Sequence, residues 1–207
     1  VFHDDQHGTA IISSAALLNA LELVGKPIGQ VKLVVSGAGA AAIACLDLMV
    51  GLGVKAANIF VVDSKGVIRE GRGDRLDESK QRYCQRTEAR TLADVVQGAD
   101  VFLGLSAAGV LKPELLARMA PKPLIMALAN PNPEIMPEAA RAVRPDAMIC
   151  TPMGRCGAAG LQRGAAADLL EDVRRGVEQQ AICTGIDLHE DRGLRARLGA
   201  DGTTAHA

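Results

Sequence analysis

The chain has 207 residues with a formal charge of −1 at pH 7, no Trp, one Tyr and three Phe. That length accommodates one α/β domain with a sizeable core plus an appendage, and the near-neutral balance without a basic stripe argues against nucleic acid as a partner. So few aromatics require a core of Val, Ile, Leu, Ala and Met, the composition of strands buried in parallel sheets.

The first ten residues read VFHDDQHGTA. The polar start predicts no signal peptide, and the missing initiator Met suggests a piece of something longer. Residues 9–23 predict a helix, with Ile11, Ile12, Ala15, Leu18, Ala20 and Leu23 at roughly helical spacing. Gly25-Lys26-Pro27 stops it. No apolar run is expected to reach transmembrane length. Then QVKLVVSGAGAAAIACLDLMVGLG reads as strand, glycine turn and alanine-rich helix, and NIFVVD as a second strand. SKGVIREGRGDRLDESKQRYCQRT is polar and irregular at first, with helix toward its end. TLADVVQGA predicts a short helix, DVFLGLSA a third strand, KPELLARMA a Pro-led helix, PLIMALAN a fourth strand, PEAARAV a short helix and DAMICT a fifth strand.

Strands alternating with helices define an α/β fold, a Rossmann-type doubly wound parallel sheet with helices on both faces. The expected organisation is an opening helix carrying the Asp pair (residues 1–25), a nucleotide-binding domain (26–151) and an atypical tail (152–207). The tail is rich in Ala, Gly and Arg, with a helix predicted near residues 165–180 and a loose segment beyond Asp187. Cys45, Cys84, Cys150, Cys156 and Cys183 are dispersed and odd in number, which fits a reducing compartment and places the protein in the cytoplasm.

Three sites carry chemistry. Gly37, Gly39 and Ala42 form G-x-G-x-x-A between strand and helix. The first Gly permits the tight turn, the second admits a pyrophosphate to the backbone, and the small third residue lets helix and strand pack closely. Asp63 ends the next strand, where an acid suits the adenosine ribose diol. Asp63 by itself favours NAD over NADP, whereas Lys65 or Arg69 could take a 2′-phosphate. Asp4 and Asp5 precede the first helix. Either they cap the helix, since Asp is a favoured N-cap and stabilises the positive end of the dipole, or they hold a hard cation such as Mg²⁺ or Mn²⁺, which would give the second carboxylate a purpose. Zinc on His3 and His7 is the weaker alternative, since no third nitrogen or sulfur ligand lies near in sequence. Asn130, ending the fourth strand, either bonds the nicotinamide side of a cofactor or simply opens a turn before Pro131.

VFHDDQHGTAI, SGAGAAAIA, VVDSKGVI and MALANPNPEI together resemble the dinucleotide-binding half of a bacterial malic enzyme, over residues 1–151. The resemblance implies oxidative decarboxylation of (S)-malate to pyruvate and CO₂, with NAD or NADP accepting the hydride and Mg²⁺ or Mn²⁺ required. It implies that Asp5 ligates the metal while Asp4 lies close to a catalytic lysine. Gly37, Ala38, Gly39 and Ala40 would wrap the pyrophosphate, with Ala42 behind them. Asp63 would meet the ribose and Asn130 the nicotinamide side. The DSKGV stretch moves the expectation toward NADP. The resemblance puts the catalytic lysine and tyrosine in an N-terminal domain absent from these residues, so the chain alone is expected to be inactive. It also implies a homo-oligomer for the full-length enzyme. After ICT, the family's Gly-Arg-Ser-Asp continuation is replaced by PMGRCGAAG, which suggests a frame change in a GC-rich gene or a joined fragment near Thr151. The rival readings are a nucleotide-binding domain of an amino-acid or tetrahydrofolate dehydrogenase, and a non-catalytic nucleotide-binding module.

Overall fold

The computed structural model describes residues 3–73 and 75–151. The helix and loose segment predicted in the tail lie outside the described residues.

A turn of π-helix, Asp4–Gly8, leads directly into helix α1, Thr9–Val24. The helix ends at Gly25, whose N–H returns to the Glu22 carbonyl at 3.2 Å. Strand β1, Leu33–Ser36, and helix α2, Ala40–Gly51, flank the glycine turn. Strand β2, Ile59–Asp63, folds back through a tight turn into strand β3, Gly66–Val67. The short helices α3, Glu78–Gln81, and α4, Leu92–Val95, precede strand β4, Val101–Gly104. Helix α5, Pro113–Leu116, strand β5, Leu124–Ala127, helix α6, Pro137–Val143, and strand β6, Met148–Cys150, complete the described chain.

The sheet order is β3-β2-β1-β4-β5-β6. All pairings are parallel except β2 with β3. That edge departs from the fully parallel expectation. The predicted irregular stretch at SKGV is instead a hairpin, with Val62 opposite Val67 and Asp63 opposite Gly66. Gly66 makes it possible: its φ is +104°, and a Cβ there would collide with the Arg90 carbonyl oxygen. The helix predicted at KPELLARMA is also shorter than expected, a single turn. The chain must bend early so that the Ala120 N–H can meet the Ala99 carbonyl at 2.9 Å.

Alternate residues of each strand feed two cores, one on each face of the sheet. Leu33, Val35, Val61, Leu103 and Met126 pack beneath α1 and α2. Val34, Val62, Phe102, Ile125 and Ile149 pack against the short helices. Residues Gln6–Val24 are, contrary to expectation, long and apolar enough by length and composition to cross a membrane, with mean hydropathy 1.3. The run tolerates Ser13, Ser14 and Asn19, which break the eye's reading of it more than its average. Here it is a core helix: Ala10, Leu17, Ala20 and Leu21 are buried with α2.

Two polar clips make the fold's stability depend on pH. Arg144 donates to Asp146 at 2.8 and 2.9 Å and to the Met119 and Ala120 carbonyls at 3.0 and 2.8 Å, tying the end of α5 to β6. The guanidinium bonds, with the Lys122 N–H, hold the Asp146 carboxyl well below the usual carboxylate range. Because this carboxyl is the stronger acid when folded, its contribution is whole above about pH 4 and is lost as pH falls. Tyr83 behaves oppositely. Burial, then its bond to Asp47 at 2.5 Å, pushes the phenol above its ordinary range. Its contribution is whole below about pH 10 and is lost as pH rises. The melting temperature should therefore fall on both sides of a neutral plateau. Asp146→Asn should flatten the acid limb and Tyr83→Phe the alkaline one, each lowering the plateau by roughly 2–4 °C. Thermal melts across pH test both, and an acid limb unchanged in Asp146→Asn removes Asp146 from the account.

Candidate dinucleotide site

The strand order reverses between β1 and β4, the switch point at whose carboxyl ends doubly wound sheets form their ligand crevice. The turn from β1 to α2 fills one wall. Gly37 has φ +111°, and a Cβ there would strike the Leu105 carbonyl oxygen. The two chains leaving β1 and β4 thus touch backbone to backbone. The Gly37 N–H donates to Val62 O at 2.8 Å and the Leu105 N–H to Ser36 O at 2.8 Å. Gly39 differs: its backbone is extended, and a Cβ there would meet nothing within 4 Å. Among the described residues no side chain caps α2, and an uncapped helix N-terminus keeps the amides that an anion site uses. Ala42 is buried where α2 packs on the sheet. Gly37, Ala38, Gly39 and Ala40 thus form one continuous turn between β1 and α2, the cradle of the candidate site, with Ala42 buried behind it.

Asp63 stands at the carboxyl end of β2. Arg72 reaches it with two guanidinium bonds, both 2.9 Å, and the Lys65 N–H donates to the same carboxylate at 2.8 Å. The Arg72 side chain is only 9% exposed and that of Asp63 18%, so this pair is far better shielded from water than an ordinary surface ion pair. Of the two cations expected near the ribose, Lys65 contributes its backbone, and Arg69 donates to the Glu70 carbonyl at 3.1 Å. Arg72 is the cation at Asp63, and sequence reasoning missed it. The only available signal was its place in a Gly-Arg-Gly loop a few residues beyond the hairpin.

Asn130 is exposed just after β5, joined to Pro131 by a cis peptide bond. Nearby, Glu134 is fully buried and also escaped sequence reasoning. It accepts from the Ser106 N–H at 3.0 Å and the Ala129 N–H at 3.1 Å. Ser106 in turn shares a 2.8 Å hydroxyl bond with Ser36. The π-helical turn bearing Asp4 and Asp5 packs against both α1 and α2. The side chains of Asp4 and Asp5 are not among the described ones. His7 Nδ1 lies 3.0 Å from the His3 backbone N–H, and no group of three or more His, Cys, Asp or Glu able to hold a metal occurs among the described residues.

The switch-point crevice, glycine cradle and acid ending β2 define a Rossmann-type dinucleotide-binding domain. The family described as "Malic enzyme, NAD binding domain" matches residues 6–152. The chain belongs to this family, the NAD-binding domain of malic enzymes. It is 69% identical over 151 residues to an NAD-dependent malic enzyme of Rhizobium meliloti (strain 1021), covering 73% of this chain and 20% of that one. It is 59% identical over 152 residues to an NADP-dependent malic enzyme of Haemophilus influenzae (strain ATCC 51907 / DSM 11121 / KW20 / Rd), with the same coverages. The crystal structure of the Entamoeba histolytica malic enzyme superposes with a TM-score of 0.69 at 38% identity, covering 74% of this chain and 33% of that one. The chain thus spans about a fifth of the length of these curated relatives.

Proposed function

We propose that this chain is the nucleotide-binding part of a malic enzyme that oxidatively decarboxylates (S)-malate to pyruvate and CO₂, with NADP as hydride acceptor. The observation that carries the reading is the cradle at Gly37–Ala42, closed against Leu105 at Gly37 and open over Gly39 at the strand-order switch. In this reading Gly37, Ala38, Gly39 and Ala40 hold the pyrophosphate, Asp63 the adenosine ribose and Asn130 the nicotinamide side.

The preference for NADP is supported by the Asp63–Arg72 pair. An unpaired acid at the end of β2 would repel a 2′-phosphate, whereas the bidentate guanidinium cancels its charge. The names of the relatives point both ways, NAD-dependent at 69% identity and NADP-dependent at 59%. The test is a titration of the purified chain with NADPH and NADH, followed by cofactor fluorescence, with and without Mn²⁺. The expected result is tighter binding of NADPH. Arg72→Ala should weaken NADPH about tenfold, by leaving Asp63 uncompensated, and leave NADH within about twofold. Equal losses for both would overturn the assignment, and no binding of either by the wild-type chain would overturn the nucleotide site itself.

Asp4 and Asp5 are the proposed metal residues, Asp5 the ligand of Mg²⁺ or Mn²⁺ and Asp4 its neighbour toward the catalytic lysine of a longer chain. Hard carboxylate ligands suit these ions, and the turn that carries them packs on α2, the helix led by the cradle. Bound there, such a cation would supply Lewis-acid polarisation of the substrate's hydroxyl and carboxylate. A homo-oligomeric full-length enzyme in the cytoplasm completes the reading. It is supported by exposed apolar Ile12 and Leu23 on α1 and by free cysteines Cys45, Cys84 and Cys150 among the described residues. The proposed division keeps residues 1–25, 26–151 and 152–207 as opening helix, nucleotide-binding domain and atypical tail. The family match stops at residue 152, which supports a frame change or joined fragment there. A family-like continuation in another frame of the coding DNA is the expected finding, and none in any frame defeats the frame change.

A further inference from the structure

We infer that Glu134 is a positioning residue for the nicotinamide half of the cofactor, acting through the backbone of the two segments that leave β4 and β5. The inference rests on the proposed NAD(P) site.

In a doubly wound sheet the dinucleotide straddles the switch point. The acid ending β2 assigns the adenosine half to the β1–β2 side, so the nicotinamide half lies over the carboxyl ends of β4 and β5. The segments leaving β4 and β5 shape it, and Glu134 joins them. Its Oε1 accepts from the Ser106 N–H and its Oε2 from the Ala129 N–H. Its own carbonyl accepts from Leu111 at 3.1 Å, and the Pro133 carbonyl accepts from Gly109 at 3.3 Å. Residues 105–111 and 129–134 are thereby laced together around a carboxylate with no exposed surface.

The carboxylate fits because residue 104 has no side chain. A Cβ on Gly104 would lie 2.6 Å from each Glu134 oxygen. One group thus ties together the segments that carry Asn130 and Ser106. Asn130 sits inside the loop that the Ala129–Glu134 bond closes, and Ser106 carries the hydroxyl that meets Ser36 beside the cradle. A buried acceptor is costly unless both of its partners are in place, so the two segments order together.

The experiment compares wild-type chain and Glu134→Gln with two probes, NADPH and 2′-phospho-ADP-ribose, which lacks the nicotinamide. Gln keeps one acceptor oxygen and the side-chain volume but loses one backbone bond. NADPH affinity should fall about tenfold while the fragment changes by less than about twofold. Equal losses for both probes, or none for NADPH, would overturn the inference. Failure of the wild-type chain to bind either probe would instead sink the nucleotide site on which it rests. A measurement on the wild-type chain keeps the test independent of the variant's folding. The Ser106 and Ala129 amides should exchange with deuterium at least about a hundredfold more slowly than the exposed amides of residues 107–108. Fast exchange at either one overturns the clamp.

Discussion

Gly37→Ala should weaken both cofactor binding and the fold, whereas Gly39→Ala should weaken binding and leave the fold intact. At Gly37 the methyl group would meet the Leu105 carbonyl oxygen, from a backbone already at φ +111°. Either the turn or the segment leaving β4 must move, at a cost of about 1–3 kcal/mol, and the cradle loses its shape with it. Dinucleotide affinity should drop roughly a hundredfold, equivalent to about 2.8 kcal/mol. At Gly39 the backbone is extended and a methyl group would project into open space. Stability should then stay within about 0.5 kcal/mol of wild type. In the proposed reading a pyrophosphate takes up that space, so NADPH affinity should fall by at least about tenfold. Thermal melts paired with fluorescence titrations separate the two variants. Wild-type affinity in Gly39→Ala would mean that the phosphates do not approach that turn.

Legibility in the sequence followed the range of the interactions involved. The helix before Gly25, the five strands that make the parallel part of the sheet and the G-x-G-x-x-A turn are written in local patterns: apolar periodicity, glycine spacing and Pro or Gly stops. Strand β3 was not legible, because two residues carry no period and its hairpin depends on Gly66 fitting beneath the distant Arg90 carbonyl. Arg72 looked like one more cation in a polar run, and only the hairpin brings it to Asp63. Glu134 was hidden most deeply. In the sequence it is a charged residue in a Pro-rich turn, the usual mark of an exposed loop, yet it is wholly buried. It can be so because two backbone N–H groups, from positions 28 residues and 5 residues away, meet it there. Local signals locate the half of the site built from one turn. The half built from two strand exits and a carboxylate requires the fold.

The same placement bears on activity. The purified 207 residues, given malate, NADP and Mn²⁺, should release no NADPH above background. Oxidation of a hydroxyl and decarboxylation of the product need a base to take a proton and an acid to return one. The chain holds one tyrosine, Tyr83. It is buried, its hydroxyl is committed to Asp47, and burial pushes its phenol up, away from the range of a working acid. Burial pushes the Lys32 amine down, the direction a general base requires. Yet Lys32 precedes β1 at the amino edge of the sheet, donates to the Gln97 carbonyl at 2.8 Å and lies over the Phe60 ring. Catalytic groups in an open α/β sheet gather at the opposite edge, where the cradle and Asn130 stand. In the proposed reading the described site holds and orients a dinucleotide, and neither Tyr83 nor Lys32 is placed to transfer a proton there. Malate-dependent NADPH formation that survives Tyr83→Phe and Lys32→Gln would place the acid–base pair on other residues of this chain and overturn the expectation. Formation lost in either variant would return that residue to the chemistry.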